Sequence, residues 1–446
     1  MTENNLAKNF NAKTLFLFAL PTMIMMLFES LYSIVDGIFV ARLVNIDAFA
    51  SINIVMPAIL FFMGTGTMFG VGGSAIIAKK MGEKRHKEAN SDFSVITIVL
   101  LVISLIDILI GFVFMDEILE WLGATEILMP YAKSYFQIIL FGLLVFMGQF
   151  LFQSFFIVAG EPKMGLIAVL SAGFTNIILD YIFIAWFGMG IEGAAYATVI
   201  SSAIPTVIGI AFFSNPKRTL SFTLPKWNFK IIAQSSINGS SALVNFLATG
   251  VIAFLLNHAM LRLLGELGVA AVTIIAYTEY LFNSLFLGYC VGIAPIISFN
   301  FGAKERRKIE HILKKGFITI AVLSLLTVFM MLSFSFDIVK IFSQDNTALY
   351  DIALTGFIIF AFKYLLSGAN ILISVLFTSF SKGKISTLIA FIRTFGLIVP
   401  MILLLPSYVG VYGVWLAMPA SEFIIFFVEM FLFDKIIKSR KIINQA

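Results

Sequence analysis

The sequence predicts an all-α polytopic membrane protein with twelve transmembrane helices in two six-helix lobes. Three observations carry that expectation. Only 12% of the 446 residues are charged while 60% are hydrophobic, against roughly a quarter charged in a soluble domain, too few to coat a globule in water. Apolar runs of about twenty residues recur along the whole length, the reach a helix needs to cross a hydrocarbon core of roughly 30 Å. The chain also aligns with itself at an offset of 220 residues, without gaps over long stretches.

The runs place the spans at 14–42, 49–78, 93–115, 131–160, 164–187, 191–213, 231–262, 268–298, 316–336, 352–380, 385–405 and 411–434. Several exceed a perpendicular crossing, so tilt or kinks are expected. Pro21, Pro57, Pro205, Pro295 and Pro400 are the candidate kink sites, tolerated where neighbouring helices satisfy the freed carbonyls. Twenty-four of the thirty lysines and arginines fall in the termini and alternate loops on one side, led by 79–92, 214–230 and 299–315. That asymmetry puts both termini and those loops in the cytoplasm. It also explains the net charge of +5 without nucleic acid, which is not an expected partner. The start, MTENNLAKNFNAK, has no apolar h-region before a small-residue cleavage site, so no removable signal peptide is expected. The lone Cys290 lies in an apolar run, which leaves neither a disulfide framework nor a thiolate metal site.

In the self-alignment Arg42 falls on Arg262, Ala50 on Ala270, Gly72 on Gly292 and Gly82 on Gly302, and MGEKRHK (81–87) falls on FGAKERR (301–307). Gly190, Gly193 and Ala197 fall on Gly410, Gly413 and Ala417. The halves are then 1–213 and 231–446, joined by the basic linker 214–230. Six spans is an even number, so the repeats share one orientation about an axis along the membrane normal. Such pairs enclose a central cleft and rock to alternate access, which predicts a transporter. A duplicated scaffold is the bland alternative.

Charge inside a membrane is costly, about 2.5–3.5 kcal/mol at a helix centre on the insertion scale, so each case asks for a reason. Glu29 and Asp36 sit two turns apart on one face of the first span, and Asn176 and Asp180 one turn apart on the fifth. Thr198 lies on the sixth. Oxygen donors of this kind suit a hard cation such as Na+, and carboxylates out of water are natural proton carriers. The bland reading is that each acid braces a neighbouring helix.

The segments FALPTMIMMLFESLYSIVDGIFVARL (18–43), GVGGSAIIAKKMGE (70–83) and TNIILDYIFIAWFGMGIEGAAYATVIS (175–201) resemble the MATE family, the multidrug and toxic compound extrusion antiporters. The likeness covers essentially the whole chain and points to bacterial drug-efflux members of MepA-like or DinF-like kind. It implies two lobes in a V shape, with substrate and ion sites between or within them. Family cation sites use an acid on the first helix, Asn and Asp on the fifth and Thr on the sixth, which map to Asp36, Asn176, Asp180 and Thr198; Na+ is a metal ion that set suits. One departure is Glu29, where some members carry Gln; the added carboxylate makes the site more acidic and favours a proton there.

The second half has Asn257 and His258 on its first span, Glu279 on the next, then Asn370, Arg393 and Glu422. The repeat does not copy the acids, since Asp36 falls on Leu256 and Asp180 on Pro400. Some relatives carry a coupling or drug-binding acid on the seventh or eighth helix, and Glu279 is the residue to match it. Arg393 is expected to neutralise Glu422 or another acid, and Asp107 and Glu429 to be structural. Met147, Phe150, Phe152 and Phe155 on the fourth span are read as lining an adaptable aromatic cleft for flat cations, with Glu279, Asn257, His258 and Asn370 as polar members. GTGTMFGVGG (64–73) resembles a nucleotide loop but has no strand before it, so close helix packing is the better reading.

The expected function is therefore export of small, amphipathic, mostly cationic compounds across a bacterial inner membrane in exchange for H+ or Na+. No cofactor beyond the coupling ion, membrane lipid as surroundings and a monomeric state are expected. The alternative transporter is a lipid-linked oligosaccharide flippase of the related superfamily, disfavoured by the acidic polar set. A hydrolase would need a nucleophile–base pair or a metal cluster, and the sequence shows neither.

Overall fold

The computed structural model describes residues 5–44, 46–343 and 346–438, with no strand among them. The basic residues past 438 and the Arg42 side chain lie outside what is described. The first half runs through α1 (Ala12–Leu43), α2 (Ile46–Gly82), α3 (His86–Val113), α4 (Met115–Trp121), α5 (Met129–Phe141), α6 (Leu143–Val158), α7 (Pro162–Asp180) and α8 (Gly190–Phe213). The second runs through α9 (Phe229–Leu264), α10 (Glu266–Gly302), α11 (Arg306–Ser333), α12 (Ser335–Ser343), α13 (Thr347–Ala361), α14 (Tyr364–Ser379), α15 (Gly383–Phe391), α16 (Val399–Val409) and α17 (Val411–Phe433).

Among the described residues ten helices are long and apolar enough to cross a membrane alone. Two bent pairs, α5 with α6 and α13 with α14, bring the number to twelve when each crosses as one broken span. The bends are 57° and 49°, and neither falls at a proline. Pro21, Pro57, Pro205 and Pro295 sit inside continuous helices. The first bend falls at Gly142, where an added Cβ would lie 2.3 Å from the Val199 side chain of α8. The second falls at Phe362–Lys363. Pro400 lies in the first turn of α16, which follows directly on a π-helical stretch, Ile392–Ile398; the first half has its own in the matching span, Tyr181–Trp186.

The repeat read from the sequence is visible in the backbone. The short helices α4 and α12 begin 220 residues apart. Lys84 and Lys304 turn the basic loops with φ of 62° and 60°, and Gly190 and Gly410 both have φ of 60°. The lipid-facing stripes match as well: Val102, Leu105 and Leu109 are exposed on α3, and their counterparts Val322, Leu325 and Phe329 on α11. With no water to satisfy, an apolar exterior costs nothing in hydrocarbon.

The halves meet where α1 packs on α10, α2 on α9, and α2 on α10. At the basic-loop end this contact is backbone on backbone. A Cβ on Gly82 would sit 1.9 Å from the Phe299 carbonyl oxygen, and one on Gly302 would sit 1.9 Å from that of Lys79. Higher up, a Cβ on Gly72 would meet the Ser235 carbonyl oxygen at 2.1 Å. The glycine-rich stretch 64–73 is thus a packing surface inside one continuous helix, as its setting in an apolar span predicts.

Candidate functional site

Three helices of the first half bring the predicted oxygen ligands together. Asp36 comes from α1, Asn176 and Asp180 from the end of α7, and Thr198 from α8. The carboxyls of Asp36 and Asp180 face one another. Both Asp180 oxygens, Asp36 Oδ1 and Asn176 Oδ1 are buried without a hydrogen-bond donor among the described residues. Asp180 is fully buried and Asn176 nearly so, while Asp36 and Thr198 are half-buried. Two facing carboxylates bring no donor of their own, so a bond between them needs a shared proton, and otherwise a cation must sit with them. Asp180 is also the last α-helical residue before the π stretch Tyr181–Trp186; such widened turns loosen the i→i+4 ladder and recur at functional positions.

Sequence reasoning missed Tyr135 on α5. Its hydroxyl meets Thr198 and lies within electrostatic reach of both Asp36 and Asp180. The available signal was a phenol inside the predicted span 131–160, since a hydroxyl out of water needs a partner.

Glu29 stands apart from this pair. It faces α6, where Gln149 Nε2 donates to its Oε1 at 3.4 Å and Gln153 lies beside it. Tyr280 of α10 approaches from the other half. Tyr32 lies between the two acidic groups, near Glu29 and Gln149 on one side and Asp36 on the other. The seven-residue spacing puts the acids on one face of α1 but at different depths, so they meet different neighbours.

The second half compensates its acids with its own cations. Glu279 pairs with Lys363, which the break between α13 and α14 turns inward and which is almost fully buried. Arg393 and Glu422 form the expected ion pair, Arg393 Nε donating to Glu422 Oε1 at 3.1 Å. Asn370 Nδ2 adds a bond to Glu422 Oε2 at 2.6 Å and one to the Glu422 carbonyl at 3.0 Å. Arg393 also lies within electrostatic reach of Glu429, a buried acid whose oxygens accept no hydrogen bond among the described residues. Asn370 is therefore an anchor of this network and is buried in it.

The remaining cleft candidates are dispersed. Phe152 and Phe155 pack into an aromatic core with Phe93, Phe213 and Phe222, with ring centroids 4.6 Å apart for Phe93–Phe155. Met147 and Phe150 are buried where α6 packs on α2. All four are interior packing residues in this conformation, because α6 is covered by α2, α3 and α8 at once. Asn257 and His258 lie exposed on α9, with His258 stacked on Phe254 at 6.0 Å.

Comparison with known proteins decides what the scaffold is. The family model MatE matches residues 21–182 and again 241–404, the two copies starting 220 residues apart. The chain belongs to the MATE family. Curated MATE relatives include the multidrug export protein MepA of Staphylococcus haemolyticus, 28% identical over 94% of this chain and 92% of that protein. The MepA of Staphylococcus aureus is 25% identical over 90% of this chain and 89% of its own. These relatives are transporters, not enzymes. In fold the chain is similar to a MATE crystallised with MaL6, at a TM-score of 0.93 and 20% identity over the full length of both chains. It is also similar to the Vibrio cholerae MATE transporter VcmN, at 0.90 and 19% over 97% of this chain and 98% of that one.

Proposed function

We propose that this MATE protein exports small amphipathic organic cations, driven by inward movement of H+ or Na+ through the Asp36–Asp180 pair. One contrast carries the reading. The second half pairs Glu279 with Lys363 and Glu422 with Arg393, whereas no cation of the chain pairs with Asp36 or Asp180 among the described residues. An uncompensated acidic pair in the membrane requires charge from outside the chain, which is what a coupling site does. Drug export is what the MepA relatives are named for. A cationic cargo fits an acidic interior, and an anionic lipid-linked sugar does not.

Tyr135, Thr198 and Asn176 supply the neutral oxygens around the pair. A proton would be shared between the two carboxyls. Na+ would take carboxylate, amide and hydroxyl oxygens of the same set, the donor chemistry hard cations need. Alternate opening of the cleft by rocking of the halves would then link ion release on one side to cargo release on the other.

Cells expressing the protein should accumulate less of a planar cationic dye and an unchanged amount of an anionic one. Equal export of both would contradict the acidic-interior argument. The basic loops and both termini are placed in the cytoplasm on charge grounds. A Lys226→Cys variant in the linker should then resist a membrane-impermeant thiol reagent added to intact cells, and ready labelling would reverse the orientation.

A further inference from the structure

At the basic-loop end the groove between α2 and α9 opens into a cavity of about 710 Å³. Lys79, Lys80 and Arg85 line it from the first half, and Lys230, Lys382 and Lys384 from the second. The two carboxylates on its wall, Glu83 and Glu88, are already engaged. Arg85 Nη1 meets Glu83 at 2.8 Å, Lys79 meets Glu83 at 3.9 Å, and Arg85 pairs with Glu88 as well. Lys80 turns to Asp92. Lys230, Lys382 and Lys384 make no salt bridge among the described residues, so the second-half wall is a cationic surface without counter-charge.

The repeat supplies a built-in comparison. The groove related to this one by the 220-residue shift lies between α10 and α1, and the chain fills it with its own segment Asn5–Phe10. Asn5 Nδ2 donates to the Gly160 carbonyl at 3.0 Å, Asn300 Nδ2 to that of Leu6 at 3.5 Å, and Lys308 Nζ to that of Ala7 at 3.3 Å. Leu6 and Phe10 are buried there. The sequence differs to match: Lys80 has Asn300 as counterpart, Lys230 has Phe10, and Lys382 has Pro162. One groove keeps fewer lysines and is plugged by the chain, while its twin is basic and open.

The linker beside the open groove indicates what reaches it. Leu224, Trp227 and Phe229 are 90%, 59% and 81% exposed, set among Lys226, Asn228 and Lys230. Exposed apolar and aromatic side chains alternating with lysines fit the headgroup zone of a bilayer rather than bulk water.

The geometry points to an anionic phospholipid as the occupant of this cavity, its phosphate held by Lys230, Lys382 and Lys384 and its chains lying outside along α9. Basic pockets between spans on the cytoplasmic side recognise such headgroups. Because both halves line the cavity, the bound lipid ties them together at the end where they already touch, and it favours that conformation over the one opened there. A dissolved phosphate ion offers the same chemistry without the anchor.

The test uses the purified full chain in mild detergent, with phosphatidylglycerol, phosphatidylcholine or inorganic phosphate added. Phosphatidylglycerol should raise the thermal midpoint in a saturable way, and phosphatidylcholine and inorganic phosphate should not. A K230Q/K382Q/K384Q variant should need roughly tenfold or more phosphatidylglycerol for the same rise, and the matching Lys→Arg triple variant should behave as wild type. Should the triple Gln variant fail to fold, the single variants should each retain less phosphatidylglycerol through purification than wild type. An equal rise with phosphatidylcholine, or wild-type lipid retention in all the Gln variants, would overturn the site. A rise with inorganic phosphate alone would overturn the lipid and leave a free anion as the ligand. None of these readouts depends on drug export, so failure here leaves the proposed function standing.

Discussion

Asp36→Asn protein is expected to insert, fold and bind its cargo, yet to lose gradient-driven efflux down to the level of cells without the transporter. Asparagine keeps the size and the hydrogen-bonding oxygen of the side chain and removes the charge that a proton or Na+ would answer. Asp180→Asn should give the same loss, because its carboxyl faces that of Asp36 and both act in one step. The double variant should be no worse than either single one, the non-additivity expected of residues that work as a unit. Glu29→Gln should be milder, since Glu29 is held by Gln149 on α6 and stands away from the pair. Full efflux by Asp36→Asn would move coupling elsewhere. Glu279 would be a poor second site while Lys363 neutralises it.

The largest effect on stability should come from the second half. Glu422 is almost completely buried, and its carboxylate is answered by Arg393 and Asn370. Arg393→Met would leave Glu422, and Glu429 beside it, without a counter-charge, and breaking such a pair on one side costs about 3–5 kcal/mol. A double variant, Arg393→Met with Glu422→Gln, removes both charges together and should recover most of that loss. Thermal midpoints of the detergent-solubilised proteins would show it. A single variant as stable as wild type, or a double variant worse than the single, would show that the pair is not the brace described here.

The scaffold was legible in the sequence because the bilayer enforces it. Hydrocarbon demands long apolar helices, and the 220-residue repeat fixed which spans correspond, down to the paired backbone turns at Lys84 and Lys304. The meeting of Asp36 with Asp180 was reachable from intramembrane charge and the family likeness. So was the Arg393–Glu422 pair, since a lone Arg facing lipid is expensive. What stayed hidden depends on helix rotation and bending, which composition does not encode. Lys363 reaches Glu279 because the span breaks at Phe362–Lys363, with no proline to announce it. Tyr135 enters the acidic site because α5 packs that face on α8, where its hydroxyl meets Thr198. Phe152 and Phe155 pack in an aromatic core in this conformation because α2, α3 and α8 cover α6, and an aromatic run reads the same in core or cleft. The π stretch after Asp180 leaves no mark in residue type at all.

The most direct test of coupling at Asp36 and Asp180 is uptake of a planar cationic dye into proteoliposomes, with a pH gradient and a Na+ gradient imposed separately. One of the two gradients should drive dye against its own gradient in wild type, and that same gradient should drive none in Asp36→Asn or Asp180→Asn vesicles that still bind the dye. Concentrative uptake by wild type with neither gradient present, or undiminished gradient-driven uptake by both variants, would contradict it.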